Sequence, residues 1–85
     1  MKEIKYIIQD EIGIHARPAG QLVKEAAQFE ASITIKSGDK EADAKKIIRV
    51  MSLAVKQGDE ITVVCDGYDE AFAMETMERF LIENL

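Results

Sequence analysis

Tryptophan is absent, histidine, proline and cysteine each occur once, and aromatic residues make up only 6% of the 85 positions. With Cys65 alone, no disulfide can close within the chain. One cysteine and one histidine are also too few for a zinc site, and no other residues suggest a cofactor. No apolar run approaches the roughly 18 residues that span a bilayer. The segment Met1 to Ile8 mixes lysine and glutamate with its apolar residues and does not look like a signal peptide. These absences predict a soluble cytoplasmic protein with a reduced thiol and no insertion into membranes. A net charge of −5 argues against nucleic acid as a partner. The length suits one domain, residues 1–85. A chain this short hides only about 60% of its unfolded surface, so the core must be modest.

The acids are unevenly placed. Ile12 to Lys24 contains none, and neither does Ala44 to Gly58. Between them these stretches hold Arg17, Lys24, Lys45, Lys46, Arg49 and Lys56, together with the only histidine. An otherwise acidic chain thus keeps one basic region, which suits an anion or an acidic partner.

Short elements alternate along the chain. Ile4, Tyr6 and Ile8 alternate with Glu3, Lys5 and Ile7, as in a strand. From Ala16 the period becomes helical, with Ala19, Leu22, Val23, Ala26 and Ala27 on one stripe. Pro18 is tolerated in a first helical turn, where its missing N–H breaks no bond. Ser32 to Lys36 is rich in β-formers, and Ser37-Gly38-Asp39 turns the chain into a return strand over Lys40 to Ala44. Lys46 to Leu53 reads as a short helix. Ile61, Val63 and Cys65 mark a fourth strand, and Asp69 stands where it can cap a last helix. In that helix Ala73, Met74, Met77, Phe80 and Leu81 share a face. The order βαββαβα predicts an α+β fold of two layers: an antiparallel sheet with all the helices on one face and the other face solvated.

The segment Gly13-Ile14-His15-Ala16-Arg17-Pro18-Ala19 carries the chemistry. His15 ends a loop where a helix begins. The N–H groups of Ala16 and Arg17 lack intrahelical partners and lie at the positive end of the helix dipole, which favours anions. Arg17 adds a planar cation suited to phosphate. An imidazole has an unperturbed pKa of about 6.5, so a neutral nucleophilic nitrogen is plentiful at neutral pH. The set suits a histidine that takes a phosphoryl group and holds it. The plain alternative is a surface histidine that caps a helix poorly.

This segment closely resembles the active-site motif of HPr, the histidine-containing phosphocarrier family of the bacterial phosphotransferase system. The resemblance covers the whole chain, and a second signature, Val50-Met51-Ser52-Leu53, lies at the family's distance without a gap. It implies an open-faced β-sandwich of four antiparallel strands packed against three helices, and a carrier and not an enzyme. His15 would accept phosphate on its δ nitrogen from the phosphohistidine of Enzyme I and deliver it to the IIA domains of sugar permeases. Arg17 and the Ala16 amide would steady the group. A paralogue in a regulatory or nitrogen-type branch, or a co-regulatory interaction module, would share these features. The chain is expected to act as a monomer.

The segment Ile47 to Val55 is apolar nearly all round. By spacing, Val50 and Leu53 face the core, while Ile48, Met51 and part of Ile47 face solvent. In the family, positions matching Ile47, Ile48 and Met51 meet partner proteins. Gly20, Lys24, Lys45, Lys46 and Arg49 complete the expected docking face, with Lys45, Lys46 and Arg49 ringing it in positive charge. Many relatives carry a regulatory serine where this chain has Lys46, so that regulation is expected to be absent, and Ser52 is expected to be partly buried. Arg49 replaces a usual glycine, and Gly20 a frequent threonine. Ile12 replaces a small polar residue, which predicts the loss of a hydrogen bond that shapes the active loop.

Overall fold

The computed structural model describes residues 1–85. Its elements run β1 (Lys2–Ile7), α1 (Ala16–Ala26), β2 (Ser32–Ser37), β3 (Lys40–Asp43), α2 (Ile47–Ser52), β4 (Glu60–Asp66) and α3 (Glu70–Asn84). The four strands form one antiparallel sheet in the order β1-β4-β2-β3. The expected open-faced sandwich is therefore present, and the last strand in sequence is inserted between the first two.

The period of two explains which face is covered. Ile61, Val63 and Cys65 of β4 and Ile33 and Ile35 of β2 are buried and join the helix-side core. On the other face, Thr62 pairs with Lys5 and Lys36, and Val64 with Glu3 and Thr34. Apart from the buried Val64 and the half-exposed Ile7 that face is polar, with Lys36 opposite Glu41 on the neighbouring β3. Burial, followed by the charges of Glu70 and Asp69, pushes the Cys65 thiol up to about 11. It is therefore uncharged at neutral pH. No helix is long and apolar enough to cross a membrane.

The stripe of α3 is as expected, with Ala73, Met74, Met77, Phe80 and Leu81 all buried. The stripe of α1 is narrower. Pro18, Ala19, Leu22 and Ala26 are buried and Val23 half so, but Ala27 is exposed, because α1 ends one residue before it. Asp69 takes the N-cap position of α3 without a side-chain cap. Its carboxylate instead accepts the N–H groups of Glu30 and Ala31, each at 2.9 Å, and so ties the α1–β2 loop to the start of α3. Desolvation pushes this carboxyl up, but those two amides, with Lys45 nearby, outweigh it and hold the group below the usual carboxylate range.

Two further contacts position the region around His15. The backbone oxygen of Leu85, whose side chain is buried, accepts the N–H groups of Gln9 and Asp10. At the end of α2, Ala54 adopts a left-handed conformation (φ 54°), and the chain turns so that the Val55 carbonyl accepts the Ile14 N–H at 3.2 Å. The loop before α1 is thus held between the end of α3 and the end of α2.

Candidate functional site: the start of α1

His15 occupies the N-cap position of α1. Its backbone is extended, at φ −113° and ψ −173°, and its carbonyl accepts the Ala19 N–H at 2.9 Å. Its side chain makes no capping bond, so the ring is not spent on closing the helix. The N–H groups of Ala16 and Arg17 find no acceptor in the chain, and Pro18 has none to offer. Arg17 is exposed and joins none of the ion pairs. An accessible imidazole, two free amides at a helix start and an unpaired guanidinium therefore lie within three consecutive residues. This arrangement can bind an anion and offer it a nucleophilic nitrogen.

The ring is 39% exposed, and its Nε2 lies 3.9 Å from Oδ2 of Asp10. That same oxygen accepts the N–H groups of Ile12 at 3.1 Å and Gly13 at 3.2 Å. The loop is therefore hydrogen-bonded in spite of the apolar Ile12, and the shaping bonds come from Asp10 instead. Asp10 was missed by sequence reasoning. An aspartate three residues before a glycine is a turn signal, and that signal was available.

The expected docking residues are placed unevenly. Ile48 is 74% exposed, and Ile47 and Met51 are each 38% exposed, while Val50 and Leu53 are buried. The split of α2 into a core side and a solvent side therefore follows the spacing. Gly20 lies under Ile47: a methyl group built on it would meet Ile47 Cδ1 at 3.6 Å. Lys46 and Arg49 are exposed and without ion-pair partners. Lys45 is not grouped with them. Its ammonium donates to the carbonyl of Phe29, beyond the end of α1, and it is only half exposed. Lys24 is exposed but lies nine residues along α1, about 13 Å from His15 at 1.5 Å per residue. Ser52 is exposed, not partly buried, because it lies on the solvent side of the short helix; its hydroxyl donates to the Arg49 carbonyl at 2.8 Å.

Known proteins share the sequence and fold of this chain. Residues 2–83 match a family model described as the PTS HPr component phosphorylation site. A phosphocarrier protein HPr of Mycoplasma capricolum is 41% identical over 98% of this chain and 93% of its own length. One from Lysinibacillus sphaericus is 42% identical over 98% of this chain and 94% of its own. The solved histidine-containing phosphocarrier protein of a mycoplasma superposes with a TM-score of 0.94, at 40% identity, covering 96% of this chain and 93% of that one. A structure described as an HPr dimer, from Thermoanaerobacter tengcongensis, superposes at 0.75 with 37% identity over 98% of this chain and 94% of that one, so likeness of fold leaves the number of chains open. The chain belongs to the HPr family, the phosphocarriers of the phosphotransferase system.

Proposed function

We propose that His15 accepts a phosphoryl group from the phosphohistidine of Enzyme I and passes it to the IIA domains of sugar permeases. The observation that carries this reading is the exposed His15 ring at the start of α1, beside the free amides of Ala16 and Arg17. With Nε2 on the Asp10 side, Nδ1 is the ring nitrogen without a partner in the chain. Its lone pair forms the new P–N bond as the donor's P–N bond breaks. The phosphoryl oxygens then meet the positive end of the α1 dipole and the Arg17 guanidinium. Two amides and one arginine are a moderate set of donors. They suit a group that must be held during diffusion and then released.

The exposed Ile47, Ile48 and Met51, with Gly20, Lys46 and Arg49, supply an apolar patch with a positive rim for acidic partners. Lys24 extends that charge along α1. Lys45 contributes less, because its ammonium is bound to Phe29. The chain works as one domain and one copy in this scheme. Lys46 leaves no hydroxyl for a serine-directed kinase at its position. Incubation with Enzyme I and phosphoenolpyruvate tests the reading. One acid-labile, base-stable phosphoryl group on His15 is expected, and undiminished labelling of His15→Ala would overturn it.

A further inference from the structure

We infer that Asp10 is a positioning residue for phosphoryl transfer, one that keeps the ring proton of His15 on Nε2 and leaves the Nδ1 lone pair free to attack. The inference rests on the carrier reading of His15. Its basis is that one carboxylate oxygen, Oδ2 of Asp10, is shared between the loop and the ring. This oxygen accepts the amides of Ile12 at 3.1 Å and Gly13 at 3.2 Å, and lies 3.9 Å from His15 Nε2.

Asp10 is itself fixed in place. Its N–H donates to the Leu85 oxygen at 2.8 Å, and its carbonyl accepts the Gly13 N–H at 3.1 Å. The carboxylate therefore cannot swing away from the ring without giving up its bonds to the Ile12 and Gly13 amides. At 3.9 Å the contact with Nε2 is electrostatic and longer than a hydrogen bond, and a small rotation of the ring would shorten it into one. An acceptor on that side favours the tautomer with the proton on Nε2, as second partners of functional histidines generally do. Ile12 offers no polar side chain that could take this part.

The consequence for the reaction is specific. The Nδ1 lone pair bonds to phosphorus while the bond from phosphorus to the donor nitrogen breaks. The proton stays on Nε2 throughout, so the phosphorylated ring becomes cationic, and Asp10 faces that new charge with an anion. When the phosphoryl group leaves, the electron pair returns to Nδ1 and the ring is neutral again. Asp10 thus stabilises the loaded ring without touching the phosphoryl group.

The test uses the full chain with ¹⁵N-labelled histidine and the Asp10→Asn variant. Asparagine keeps an oxygen for the loop amides and removes the charge. The ring ¹⁵N shifts of neutral His15 report the two tautomers directly. The wild type should hold mainly the Nε2–H form. In Asp10→Asn the Nδ1–H form should rise about threefold, and transfer from Enzyme I should slow about tenfold. Asp10→Ala should do both and also lower stability, since the Ile12 amide loses its acceptor and Gly13 keeps only the backbone carbonyl of residue 10. Unchanged tautomers and rates in a folded Asp10→Asn would overturn the inference. Failure of the wild type itself to take a phosphoryl group would overturn the carrier reading instead, and the tautomer ratio of the unphosphorylated protein separates the two results.

Discussion

Gly13 sits directly against Val55: a Cβ built on Gly13 would lie 2.3 Å from the Val55 carbonyl oxygen and 2.8 Å from the Lys56 α-carbon. The next residue, Ile14, donates its N–H to that same carbonyl at 3.2 Å. The loop that presents His15 is thus packed backbone to backbone against the chain leaving α2.

Gly13 also has φ +82°, a conformation that side chains resist. Gly13→Ala should therefore combine backbone strain with a clash against a main-chain atom. A loss of about 2 to 4 kcal/mol in unfolding stability is expected, measured by urea titration. Phosphoryl transfer should slow as well, because the clash pushes the loop that carries His15 off the Val55 carbonyl. A stable Gly13→Ala with normal transfer would show that the Val55 contact does not position the site.

Arg17 is exposed and unpaired, so its removal should not disturb the fold. Arg17→Glu should change stability by less than about 0.5 kcal/mol. The rate of transfer should fall at least tenfold, about 1.4 kcal/mol, as a charge-assisted contact becomes repulsion. Rapid-quench kinetics check this, and wild-type rates would mean that the α1 amides suffice alone.

Lys46 and Lys45 are neighbours with different surroundings, and substitution should separate them. Lys46 is exposed and unpaired. Lys46→Glu should slow association with Enzyme I most at low salt, with the difference fading toward about 0.15 M, where the Debye length is about 8 Å. Folding stability should hardly change. The Lys45 ammonium is bound to the Phe29 carbonyl. Lys45→Met should act chiefly on stability and little on association. Equal association rates for wild type and Lys46→Glu at every ionic strength would remove Lys46 from the docking face.

Asp69 gives the fold a dependence on acid. Its carboxyl lies below the usual range in the folded chain, because the Glu30 and Ala31 amides outweigh its desolvation. The stability this adds is fully present above the unfolded carboxyl value, near pH 4, and is lost as pH falls through the lower folded value. Asp69→Asn leaves one of the two amides without an acceptor, so it should be less stable than wild type at neutral pH. The gap should close as pH drops through that window, as read from melting temperatures across a pH series. A gap that stays constant with pH would show that the charge of Asp69 contributes nothing.

Local pattern and tertiary contact explain what was legible. The period of α3 and the alternation in β2 place their buried residues correctly, because each element lies on one continuous core, whereas β4 also buries Val64, which alternation puts on the opposite face. The short α2 was also readable, since Val50 and Leu53 differ in spacing from Ile48 and Met51. The roles of Asp10 and Asp69 were hidden for different reasons. Asp69 bonds to amides 38 and 39 residues away, and no local pattern reports such a partner. Asp10 acts within its own turn, but a polar residue at position 12 was the expected source of that bond. Lys45 looked like a rim charge because adjacency in sequence does not show that a side chain turns back to Phe29. The insertion of β4 between β1 and β2 likewise depends on non-local pairing.

The proposed phosphoryl acceptor, His15, is the only histidine in the chain. The most direct measurement is intact mass after incubation with Enzyme I and phosphoenolpyruvate, for wild type and His15→Ala. The wild type should gain the mass of one phosphoryl group, lost in acid and kept in base, and His15→Ala should gain none. A phosphoryl group of equal yield on His15→Ala, or an unmodified wild type under conditions where Enzyme I is itself phosphorylated, would contradict that role.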